Sequence, residues 1–68
     1  MYYAKQSPRG FANEIEIIAF RNKAARDQWV SAHKDDGDVN SAALGAKAIT
    51  SGEARKLERE GFEIQEAP

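Results

Sequence analysis

The chain has 68 residues, 31% of them charged, a net charge of −1 and no cysteine. That length allows one domain, residues 1–68, and excludes two separate cores; on folding, such a chain buries only about 60% of its extended surface. Missing thiols exclude a disulfide or a thiolate metal site. The longest apolar run, Ile17–Phe20, falls far short of the ~20 residues that cross a bilayer.

Met1–Gln6 reads as a first strand with Tyr2 and Tyr3 on opposite faces, and Ser7-Pro8-Arg9-Gly10 as the turn after it. Asn13–Phe20 alternates as a second strand. Glu14, Glu16 and Ile18 share one face, Ile15, Ile17 and Ala19 the other, and Ile18 and Phe20 make both faces apolar near its end. A loop of this length makes an antiparallel hairpin the simplest arrangement. Asn22 can cap a helix over Lys23–Lys34, with Ala25, Trp29 and Ala32 or His33 at helical spacing and Val30 widening the stripe. Asp35-Asp36-Gly37-Asp38 stops that helix, since carboxylates are misplaced at the negative end of its dipole.

Val39–Gly45 carries a weak signal, with room for a turn of helix over Ser41–Leu44, and Lys47–Ile49 reads as a short strand. Thr50 and Glu53 have capping-box spacing for a second helix over about Ser51–Glu60, burying Ala54 and Leu57, with Gly61 as its C′ residue. Phe62–Gln65 alternates as a closing strand. The reading is α+β: a small antiparallel or mixed sheet packed against two helices in the approximate order ββαβαβ, with apolar residues enough for helices on one sheet face. Ala19-Phe20-Arg21-Asn22 leading to Ala25-Arg26 is echoed by Ala48-Ile49-Thr50-Ser51 leading to Ala54-Arg55, as two units side by side on one sheet or as chance and shared capping chemistry.

No catalytic kit emerges, and the expectation is a protein that is not an enzyme and carries no cofactor. His33 is the one imidazole, and no spacing brings a nucleophile and a carboxylate to it. Asp35, Asp36, Asp38 and Asn40 hold oxygens for a hard cation, but an EF-hand counted from Asp35 puts glycine at the third position and Ala46 at the twelfth, so the pattern fails. Glu14 and Glu16 read as the wet face of a strand. The glycines are dispersed and form no phosphate loop.

The expected function is protein binding by a small domain, as a regulator or inhibitor of a larger protein. Trp29, flanked by small Ala25 and Ala32, belongs either to the core or to an interface that includes Arg26, Val30 and His33. Exposed strand edges could also take an added strand. The alternative is a nucleic-acid-binding accessory domain using Lys5, Arg9, Arg21, Lys23 and Arg26, with the tyrosines to stack bases. Residues 1–34 carry six basic and three acidic side chains, and residues 35–68 four and eight, so the folded molecule is dipolar if the halves stay apart. A homodimer is an equal option for a core this small. The cysteine-free composition and the lack of a secretory signal point to the cytoplasm, with no membrane partner.

Overall fold

A computed structural model describes residues 1–7, 15–34 and 44–68. In chain order these form β1 (Tyr2–Ser7), β2 (Glu16–Phe20), α1 (Lys23–His33), β3 (Leu44–Ile49), α2 (Ser51–Arg59) and β4 (Ile64–Glu66). The four strands make one mixed sheet in the order β3-β1-β2-β4. β1 runs antiparallel to both β2 and β3, whereas β4 joins β2 in parallel. The expected order ββαβαβ is the observed one.

Alternation along β1 decides which helix covers which face. Tyr2 pairs with Phe20 and Ala4 with Ile18, and their side chains share one face. On that face the α1 residue Trp29 stacks on Phe20, with ring centroids 5.9 Å apart, and Arg26 lies over the Tyr2 ring at 5.6 Å. Tyr3, paired with Ala19, points the other way, and there Arg55 of α2 lies over its ring at 5.8 Å and donates to its hydroxyl at 3.2 Å. The helices therefore sit on opposite faces, correcting the expectation of one layer of helices against one sheet face. The cause is handedness: the β2–α1–β3 and β3–α2–β4 crossovers run in opposite directions across the sheet, and right-handed connections then place their helices on opposite sides.

The apolar interior is thin on both sides. Tyr3, Ile17, Ala19 and Ile49 meet Ala54 of α2, with Ile15, Leu57, Phe62 and Ile64 packed around them. Across the sheet, Ala4, Phe20 and Ala46 are buried, but no residue of α1 is. Ile17 is the one large side chain that is fully buried among the described residues.

Both helix starts follow the sequence. Asn22 Oδ1 accepts from the Ala25 N–H at 2.8 Å, and Thr50 Oγ1 from the Glu53 N–H at 3.1 Å. α2 closes on Gly61, at φ +107°, with the Gly61 N–H bonded to the Glu58 carbonyl and the Phe62 N–H to the Leu57 carbonyl, both at 3.1 Å. These two bonds make a Schellman end. They also explain why β4 starts at Ile64, two residues later than expected: Phe62 still serves the helix terminus. β3 starts three residues earlier than expected, at Leu44, in a stretch whose glycine and alanines give little strand signal. Leu44 is thus strand, and so is Ser7, the expected first residue of the Ser7–Gly10 turn; the rest of that turn and of the suggested Ser41–Leu44 turn, the start of the Asn13–Phe20 strand and the Asp35–Asp38 stop lie outside the described residues.

Gly45 is fixed by contact. A Cβ there would fall 2.0 Å from the Lys34 carbonyl oxygen, so the end of α1 reaches β3 only because this position lacks a side chain. Gly45→Ala is expected to lower stability by about 1–3 kcal/mol in urea denaturation, since backbone must shift. Gly52→Ala is the contrast: its Cβ would meet only Thr50 Oγ1 at 3.8 Å, and a helical alanine should add about 0.5–1 kcal/mol.

Candidate functional site

Close approach at Gly45 draws α1 toward β3 and β1. The opposite half of that sheet face, over β2 and β4, has no helix above it among the described residues. An α-helix is about 10–12 Å across, whereas four strands span roughly 15 Å between outer axes, so one helix cannot cover the face. What remains is an open trough of about 450 Å³. Its floor is Ile18 and Phe20 of β2, and one wall is Ala25, Trp29, Ala32 and His33 of α1. Gln65 and the segment from Glu66 to Pro68 form the other wall, held in place where the Ala67 N–H bonds to the Ala19 carbonyl at 2.9 Å.

An aromatic row runs along the helical wall. Trp29 lies between Phe20 and His33, the Trp29–His33 centroids being 4.9 Å apart and the planes tilted by 40°. Trp29 is half-buried: one side of the ring packs on the sheet and the indole lines the trough. Of the four residues named for protein binding, Trp29 and His33 line the trough. Val30 is half-buried and does not. Arg26 is occupied by Tyr2 and by Asp27.

Of the basic residues named for nucleic acid, Arg21, Lys23 and Arg26 lie on the α1 segment and Lys5 on the other face of the sheet. Lys23 Nζ and Arg26 Nε each reach an oxygen of Asp27 at 2.7 Å. Arg21 is exposed at the start of α1. Lys5, which follows Tyr3 in the alternation, faces the α2 side. Arg9 lies outside the described residues, as do Glu14, Asp35, Asp36, Asp38 and Asn40. Glu16 is exposed beside Gln6, as a wet strand position should be.

Hydrogen bonds from Lys23 and then from Arg26 hold the Asp27 carboxyl below its ordinary value. Because this pKa is lowered in the folded state, the associated stability is present at neutral pH and is lost as pH falls through the lowered value. Among the described residues there is no group of three or more histidines or carboxylates able to hold a metal ion, and no helix is long and apolar enough to cross a membrane.

No family model, curated protein or solved structure matches this chain. The site is therefore read from its own geometry. Sequence reasoning found Trp29 but not the trough. The available signal was the apolar turn of both β2 faces at Ile18 and Phe20, which marks more apolar surface than one helix can cover.

A carboxyl-carbon NMR titration should place the Asp27 midpoint below that of an ordinary aspartate, and Lys23→Ala should raise it more than Arg26→Ala does.

Proposed function

We propose that this chain is a non-catalytic protein-binding domain of the cytoplasm, a regulator or inhibitor that takes an apolar segment of a larger protein into the trough beside α1. The observation that carries the reading is the half-buried Trp29 lining a trough over the half-buried Ile18, with the buried Phe20 beneath the indole. A tryptophan already fixed on one side by Phe20 loses little rotamer freedom on binding, and rigid aromatics in partly enclosed sites are typical interface anchors. A helical segment has the right width to lie alongside α1 over β2 and β4, completing the layer that α1 begins.

A second copy is the less favoured occupant. Face-to-face pairing of this surface brings together two α1 segments that each carry Arg21, Lys23, Arg26 and Lys34 against Asp27 alone. The lone histidine, stacked on Trp29, supports a binding role for that residue rather than an acid–base one.

Affinity capture from cell extract with mass spectrometry, run beside a molar-mass measurement, tests this reading. Trp29→Ala should weaken binding of the captured protein by about 2–4 kcal/mol. Ala32→Arg, which fills the trough from an exposed position, should abolish capture with the circular dichroism spectrum unchanged, while Lys56→Ala on the opposite face should have no effect. Capture of nucleic acid with steep salt dependence and no protein, or a dimer closed through Trp29, would overturn it.

A further inference from the structure

The sheet edge farthest from the trough carries an unexplained pair of charges. Lys5 of β1 and Lys47 of β3 stand directly opposite each other in the antiparallel register. Directly opposed side chains share a face with Cβ atoms about 4.5–5.5 Å apart, and like charges in that position are destabilising. Neither ammonium has an ion pair or hydrogen bond among the described residues. Lys47 is exposed and Lys5 half-buried, with Ile17 opposite it on its other side. A lysine on an edge strand guards against indiscriminate strand pairing, so Lys47 disfavours an incoming segment unless that segment carries the opposite charge there. That role does not account for Lys5, on an interior strand.

β3 bonds to β1 along one side, and among the described residues no strand lies along the other; an outer edge of this kind presents N–H and C=O groups to an added strand.

We propose that the β3 edge receives an extended segment of another protein bearing a carboxylate opposite Lys47. Backbone bonds along Lys47–Ile49, the stretch of β3 in regular register with β1, hold the segment, and the carboxylate extends the row Ile17–Lys5–Lys47 with the opposite charge, relieving the repulsion between the two lysines. A second copy fits poorly: antiparallel pairing of β3 with itself sets Lys47 opposite its own copy when centred on Lys47 and opposite Gly45 when centred on Ala46, and supplies a carboxylate in neither register. A nucleic acid would meet the charges but leave the outward amides unbonded. The site does not depend on the trough, which lies along β2 and β4.

The probe is a short peptide of alternating threonine and valine with a central glutamate, compared with the same peptide carrying a central lysine. On titration, amide resonances of Lys47–Ile49 should shift and their outward N–H groups become protected from hydrogen exchange. The glutamate peptide should bind at least about tenfold more tightly than the lysine peptide. Lys47→Glu should reverse that preference and raise the melting temperature of the free protein, because it puts opposite charges face to face. Equal affinity for both peptides, no binding of either, shifts at Trp29 in place of β3, or a lower melting temperature in Lys47→Glu each overturns the proposal. So does an oligonucleotide that displaces the peptide. Trp29→Ala should leave peptide binding unchanged, so failure here and failure at the trough are read separately.

Discussion

The constraint on which the rest of the structure depends is that β1 has a neighbour on every side. It is hydrogen-bonded to β2 and β3 along its two edges and faces a helix on each surface. Adjacent tyrosines serve opposite layers: Tyr2 receives Arg26 of α1 and Tyr3 receives Arg55 of α2. An arginine over an aromatic ring keeps its charged end near water while its stem covers apolar surface, which suits a domain too small to enclose its interior with aliphatic side chains alone. It also explains the place of alanine in the interior. Ala4, Ala19, Ala46 and Ala54 are all buried, and small residues let the helices come close to the sheet.

The elements were legible in the sequence wherever their cause was local. Asn22 and Thr50 cap the helices they were expected to cap, because an N-cap needs only its own side chain and an amide within the next turn. The face assignment along β2 was readable for a similar reason, since alternation is fixed by the backbone. Placement of the helices on two faces was not. It depends on strand order, which brings together β3 and β1 and separates β3 from β4, and no local pattern encodes that order. The alanine-rich interior was equally hidden. A list of strong apolar residues passes over Ala46 and Ala54, and the early start of β3 at Leu44 falls among residues of weak strand preference.

Charge behaves differently in space than along the chain. The basic bias of the first half is visible on the α1 segment in Arg21, Lys23, Arg26 and Lys34. On the α2 side Lys5 and Lys47 stand with Arg55, Lys56 and Arg59 as well as with Glu53, Glu58 and Glu60, so charges of both signs mix there. The contrasts are local: an apolar trough next to a basic helix on one side, and two opposed lysines at an outer edge on the other. Trp29 was identifiable from spacing, but its half-buried state follows from the position of α1, which Gly45 sets.

Strand order also shapes how the fold is reached. β1 and β2 can pair early, across a single short loop. β4 must instead find β2 in parallel, after the chain has returned from the far edge of the sheet through α2. Parallel pairings between distant segments come at the cost of closing a long loop before any contact compensates, and they slow folding. Until residues 64–66 arrive, Ile17 lacks the neighbour that its register assigns on that side. The hairpin thus keeps an apolar strand edge exposed until β4 docks, and the sheet is complete only once the chain has passed through α2.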